Sequence, residues 1–456
     1  MGMVVHDELR SEVGRVLAAA GVGPHSRLCC ALSGGVDSVS LFTLLCSLQA
    51  PFGYALSAAH VHHGLSPNAD AWAAACARRC ERAGVPFQLF RVTVARDHPG
   101  GLEAAAREAR RAALDRVECD WLVLGHHQDD QAETVLFRLL RGAGVHGAAA
   151  MAALDRPRSA RCPGRLRPLL GVRRAQILAW ARAAGLRWEE DESNADERYT
   201  RNALRRQLLP AAERIFPAAV PALARAAENF READTLLDEL AALDAAACGG
   251  APLSRSAALA LGAARLGNLL RWQLRGAGAL APSRARLVEA VRQLCAAGAD
   301  TPLRLVLGDR ACCAYRDALW LEAAAPAPLP PAQRWHGQAA LPWGQGEVVF
   351  AGAEGEGLSR VRLAAAAEVS LAPRREGMKL RLDSRRPRRS FKNLCQEAAI
   401  PAWLRARLPV LWVDGEPAWV AGIGVAAEFA CAAGETGVVP RWHAAAAGAD
   451  PARGVS

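Results

Sequence analysis

The segment RLCCALSGGVDSVSLF, residues 27–42, decides how the N-terminal half of this chain is read. It opens with an apolar run of the length of one buried strand, turns through two glycines, and continues with apolar residues at helical spacing. Strand, glycine turn and helix in that order are the first half of a parallel βαβ unit. Gly34 and Gly35 allow a tight turn that brings backbone N–H groups close to an anion. Ser33 and Ser38 add hydroxyl donors, and the helix that follows presents its positive end. No lysine stands where a Walker loop would carry one. Asp37 within an anion-binding loop is explained if a divalent cation bridges it to phosphate. A plain glycine turn with a serine cap would account for a bare SGG; the full S-G-G-x-D-S after a buried strand outweighs that reading.

Working outward, YALSAAHVH (54–62), FQLFRVTV (87–94) and WLVLG (121–125) read as further strands. Between them, VSLFTLLCSL, DAWAAACARRCERAG and LEAAAREARRAALDRV carry helical periodicity. Strand–helix alternation predicts an α/β fold with a doubly wound parallel sheet. From Ser193 to Glu322 the chain reads as mostly helical, and 322–337 is a Pro/Ala-rich linker or exposed loop. Beyond it EVVFAG, VRLAAA and AWVAGIGV read as strands of a small mixed α/β domain. The expected domains are 1–215, 216–322 and 323–442, with a tail at 443–456.

Composition narrows the partners. The 456 residues are 51% hydrophobic and 22% charged, which is globular and long enough for two or three domains. A net charge of +10 favours an anionic partner, and residues 374–407 hold eleven Lys/Arg against three Asp/Glu. The thirteen cysteines include no C-x-x-C pair, so neither a disulfide framework nor a zinc or iron–sulfur spacing is indicated. There is no signal-peptide core and no apolar run of membrane-spanning length. A reduced cytoplasmic protein without a membrane partner is expected.

In open parallel sheets ligands bind beyond the carboxyl ends of the strands, and three polar clusters fall there: SGGVDS (33–38), HVHHG (60–64) and GHHQDD (125–130). Asp130 and Glu133 are three apart at a helix start, so both carboxylates face one way and suit a cation. Adjacent histidines on an extended segment point to opposite faces, so neither His62–His63 nor His126–His127 is expected to chelate one ion. Asp129 is open between a metal-binding and a structural role. The stretch 193–210 sets Asn194, Arg201, Asn202, Arg205 and Arg206 around Tyr199, a pattern suited to RNA phosphates and a stacked base.

SGGVDS resembles the loop of the PP-loop, or N-type, ATP pyrophosphatases, which grip ATP for adenylation. HVHHGLSPNADAW, LEAAAREAR, LGHHQDDQAETVLFRLLRGAGVHGAAAM, WEEDESNADERYTRNALRRQLLP and RRSFKNLCQEAAIPAWLRARLPVLW together resemble the bacterial tRNA(Ile)-lysidine synthases. The likeness covers 27–210 densely and about 375–425 more loosely. Glu192 and Cys395 depart from the family's usual Pro and Phe.

The resemblance implies ATP and Mg²⁺, free L-lysine, and the isoleucine tRNA bearing CAU as reactants. It implies ATP binding by Ser33, Gly34, Gly35, Val36, Asp37, Ser38 and His60, with Mg²⁺ reached from Asp37 through ATP. Arg107 would neutralise phosphate charge, and Asp130 and Glu133 would bind lysine. The tRNA would be touched by Arg201, Asn202, Arg205, Arg385, Arg386, Arg388, Arg389 and Lys392. Adenine is expected between the ends of the first two strands. A PP-loop thiolase is the alternative, disfavoured by the missing C-x-x-C. A metabolite synthetase has little use for the basic C-terminal segment, and a non-catalytic RNA-binding protein would not need an intact loop. Oligomeric state, a dimer included, is open.

Overall fold

The computed structural model describes residues 2–98, 101–157, 162–190, 200–298, 301–325, 328–344 and 346–443. Ser193, Asn194 and Tyr199 therefore lie outside the described residues, as do Glu192 and all but the first residue of the expected tail. The chain divides into two compact units, residues 1–236 and 237–456.

The first unit runs α1 (Gly2–Ala19), β1 (Arg27–Ala31), α2 (Val36–Phe52), β2 (Ala55–His62), α3 (Ala69–Arg82), β3 (Phe87–Arg91), α4 (Gly101–Leu114), β4 (Trp121–Val123) and α5 (Gln128–Leu140). After these come α6 (Val145–Ala148), β5 (Leu154–Asp155), β6 (Gly164–Leu166), α7 (Arg174–Ala183), α8 (Thr200–Ala203) and α9 (Leu209–Ile215), and α10 (Ala219–Ala247) runs on into the second unit. The sheet order is β3-β2-β1-β4-β6-β5, parallel except for β5, which runs antiparallel to β6.

This is the doubly wound sheet expected from the alternation of strand and helix patterns. Its central strand is buried on both faces, which is why it reads as an unbroken apolar run. Alternation sends Leu28, Cys30 and Leu32 into one core with residues of α1, α2, α3 and α7, and Cys29 into another with Leu114 and Val117. The adjacent cysteines are thus packing residues on opposite faces. Truncating a core leucine such as Leu28 or Leu45 would cost roughly 2–5 kcal/mol. The order of strands reverses between β1 and β4, and this switch point opens a crevice at their carboxyl ends.

The second unit begins with helices Arg255–Ala260, Ala263–Gly276 and Arg284–Ala296. The helical middle region also carries an antiparallel meander, Leu303–Val306, Arg310–Tyr315 and Ala318–Ala323, which the alanine-rich pattern does not announce. Further on, antiparallel sheets include Gly346–Glu354 paired with Thr436–His443, and Val369–Ala372 next to Val410–Val413. The expected strand VRLAAA is instead the helix Arg360–Ala365. Ser359 caps it by accepting the Arg362 N–H, and Arg, Leu and Ala have strong helix propensity, so a short apolar run was misleading there. No helix of the described residues is long and apolar enough to cross a membrane.

Candidate active site

A cavity of about 670 Å³ opens at the switch point, lined from three strand ends by Ser33, Gly35, Asp37 and Ser38, by His60, and by Gly125 and His126. The loop after β1 is organised around one hydroxyl. Ser38 Oγ accepts the backbone N–H groups of Ser33 and Gly34, both at 3.2 Å, and donates to the Gly35 carbonyl at 3.0 Å. Gly34 sits at φ +97°, a conformation that side-chain-bearing residues rarely adopt. Gly125 lets the β4 strand end lie against this turn: a Cβ there would come within 3.2 Å of the Asp37 carbonyl and the Ser38 nitrogen. His60 donates Nδ1–H to the Leu32 carbonyl at 2.8 Å, and its burial lowers its pKa, so it is a neutral buttress beneath the loop. Val36 places its side chain in the core and only its backbone at the turn.

Asp37 opens α2 with one carboxylate oxygen, Oδ1, buried and lacking a hydrogen-bond partner. Burial raises its pKa, partly offset by His127 and Arg174. An orphan carboxylate oxygen beside a loop of N–H donors fits Mg²⁺ carried on a polyphosphate, since that ion takes one or two carboxylates together with phosphate oxygens. Among the described residues no group of three or more His, Cys, Asp or Glu converges as a self-sufficient metal site.

His127 and Asp130 form a reciprocal cap at the start of α5. The imidazole Nδ1 accepts the Asp130 backbone N–H at 3.3 Å, while Asp130 Oδ2 accepts the His127 backbone N–H at 3.1 Å. The proton is thereby left on Nε2, which lies 3.7 Å from Asp37 and 3.3 Å from Asp130. One buried imidazole thus spans the phosphate-side and helix-side carboxylates. Burial would raise the Asp130 pKa, but the N–H groups of His127 and the Arg205 guanidinium hold it below the usual carboxylate range. Glu133 is 1% exposed and burial raises its pKa; Arg205, bonding both of its oxygens, offsets this only in part. Asp129 takes the Arg173 guanidinium and the Arg174 backbone N–H, and its Oδ2 also lies 3.8 Å from His127 Nδ1.

One residue of the cavity wall was not singled out in the sequence. Arg110 lines the cavity one helical turn beyond Arg107, so the i, i+3 spacing on α4 was the available signal. Burial lowers the pKa of Arg110, and Arg201 adds like-charge repulsion. Arg107 and Arg201 repel each other in the same way, and Arg107 lies 3.7 Å from Glu103. Three guanidiniums repelling one another at the cavity edge, Arg107 and Arg110 exposed among them, make an anion-attracting rim. His126 is also pushed down by burial and lines the cavity as a neutral ring. Asn202 lies at the cavity wall, while Arg201 is 3.4 Å from the Thr134 hydroxyl.

The C-terminal candidates are spread rather than convergent. Arg388 pairs with Glu416 and Glu428, Arg389 with Glu397, and Arg386 lies 3.6 Å from Asp383. Arg385 and Lys392 are exposed, and among the described residues neither side chain forms an ion pair.

Residues 7–212 match the PP-loop domain, 253–320 the TilS substrate binding domain, and 369–442 the TilS substrate C-terminal domain. The chain is 61% identical over 432 residues to the tRNA(Ile)-lysidine synthase of Aromatoleum aromaticum, covering 94% of this chain and 100% of that one. It is 58% identical over 440 residues to the enzyme of the same name from Azoarcus sp., covering 96% and 97%. Against that of Nitrosomonas europaea it is 38% identical over 429 residues, 93% of each. With an ATP-type PP-loop at its switch point and relatives of this similarity along nearly the whole length, the chain belongs to the tRNA(Ile)-lysidine synthase family.

Proposed function

We propose that this enzyme ligates free L-lysine to C2 of the wobble cytidine, position 34, of the isoleucine tRNA with a CAU anticodon. The cytidine O2 attacks the α-phosphorus of ATP and pyrophosphate leaves. The unprotonated lysine amine then attacks C2, AMP departs with the former O2, and the amine's remaining excess proton is lost. The lysidine so formed reads AUA in place of AUG. The observation that carries this reading is His127, which joins Asp37 of the ATP loop to Asp130 of the acidic helix start within one buried network.

Ser33, Gly34, Gly35, Val36 and Ser38 would supply the turn and donors for the triphosphate, with His60 bracing it and adenine between the first two strand ends. Arg107 would neutralise phosphate charge as it develops in the transition state. Mg²⁺ held on Asp37 and the phosphates would supply Lewis-acid charge neutralisation. Asp130 and Glu133 would receive a lysine ammonium. Residues 1–215 would be catalytic, with 216–322 and 323–442 serving tRNA binding through Arg385, Arg386, Arg388, Arg389 and Lys392. Arg201 and Asn202 would approach RNA at the cavity rim.

The test is incorporation of radiolabelled lysine, with ATP and Mg²⁺, into this tRNA beside a transcript whose wobble cytidine is uridine. Label in the first RNA only, lost in Asp37→Ala and Asp130→Ala, supports the assignment. AMP formation without lysine in either RNA would overturn the substrate.

A further inference from the structure

The two carboxylates assigned to the amino acid already share a cation of their own chain. Arg205 directs Nε and Nη2 to the two oxygens of Glu133 at 2.5 and 3.0 Å, and Nη2 also reaches Asp130 Oδ1 at 3.1 Å. Its backbone lies in a π-helical turn, Leu204–Leu208, inserted between α8 and α9. Such an insertion rotates the side chains around it and occurs often at functional sites. The members of the triad differ in exposure: the Glu133 side chain is 1% exposed, Asp130 18% and Arg205 34%. A carboxylate as buried as Glu133 is a poor anion without a partner, and burial does push its pKa up.

We propose that Arg205 is a positioning residue of the amino-acid site: it keeps Glu133 ionised and holds it at a set separation from Asp130, whose exposed side then receives a substrate ammonium group. This rests on the reading that Asp130 and Glu133 bind lysine. It also moves Arg205 away from the RNA role that its basic neighbourhood suggested, because the N–H edge spent on protein carboxylates cannot grip a phosphate at the same time.

The groups facing Glu133 are Arg205 from the π-turn, Asp130 from its own helix, His127 from the turn before it, and Arg201 from α8. Without Arg205, burial and Asp130 both raise the Glu133 pKa, opposed only by His127 and Arg201. The balance then shifts toward the protonated carboxyl, and raising the pH shifts it back.

The experiment is steady-state lysidine formation by the full chain with ATP, Mg²⁺ and the CAU isoleucine tRNA, varying lysine and pH. Arg205→Gln is expected to raise the KM for lysine about tenfold or more at neutral pH, as truncating one member of a buried charge pair does. That KM should fall as the pH is raised, the direction set by deprotonation of a carboxyl whose pKa burial has lifted. Arg205→Lys should restore part of the affinity at neutral pH and flatten the pH dependence, and it serves as the reporter if the Gln variant does not fold. An unchanged lysine KM with weaker tRNA binding and a shallower salt dependence would make Arg205 an RNA contact. A lower lysine KM would make it a competitor for the site; either result overturns the proposal. Asp130→Asn separates the two levels. If it leaves the lysine KM unchanged, the amino-acid assignment itself falls; if only Arg205→Gln is without effect, the positioning role alone falls.

Discussion

Arg201 and Arg205 in the N-terminal unit and Arg385 to Arg389 in the C-terminal one look alike along the sequence: short arginine runs near polar residues. Their environments differ. Arg205 is fastened to Glu133 and Asp130, while burial and Arg107 lower the pKa of Arg201. In the C-terminal run the charges stand in water, and several are balanced by carboxylates from elsewhere in the unit, Glu416 and Glu428 on Arg388 among them. A count along 374–407 therefore overstates the field that an RNA would meet. Charge at reduced solvation orients chemistry, whereas exposed charge guides association and is screened within about 10 Å at 0.1 M salt.

The largest effect should come from the buried side. Asp37→Ala is expected to reduce ATP-dependent AMP formation by about a hundredfold or more, the scale of losing a main electrostatic contact in a reaction centre. Activity retained above a tenth would erase the distinction between the two regions. On the exposed side, Arg385→Gln with Lys392→Gln should weaken tRNA binding about tenfold near 0.1 M salt and lower the slope of log affinity against log salt by roughly 1.5. Arg386→Gln with Arg389→Gln removes the same formal charge but from paired groups, so the loss should be nearer threefold. Equal losses in filter binding would show that local pairing does not matter.

Smaller effects sharpen the picture. Gly125→Ala puts a methyl group 3.2 Å from the backbone at Asp37 and Ser38, so the KM for ATP should rise a few-fold, with about 1–2 kcal/mol lost in denaturant unfolding. An unaffected KM would mean that the β4 end does not set the loop. Arg389→Gln alone breaks a half-exposed ion pair with Glu397 and should change stability by less than about 1 kcal/mol.

Much of the N-terminal unit was legible because its signals are local. A strand buried on both faces must be apolar throughout, and a turn such as that at Gly34, with φ +97°, selects glycine. Asp130 and Glu133 were legible because helical spacing alone puts them on one side. The helix at Arg360–Ala365 was misread as a strand, since six apolar-biased residues fit either period and the serine cap settles the matter. The meander within the helical middle escaped because alanine-rich surroundings mute periodicity, and Arg110 because nothing along the sequence sets it apart from the other arginines of its helix.

By itself, then, the sequence determined the strand–helix alternation, the ATP-type loop after the first strand and the acidic start of the fifth helix, all properties of neighbours within a few residues. Only the tertiary structure decided that His127 bridges Asp37 and Asp130, that Arg205 crosses 72 positions of sequence to reach Glu133, and that Arg388 is claimed by two glutamates. The reason is physical: a side chain's charge and reach are written in its identity, but its partner and its solvation depend on which distant segments are folded against it.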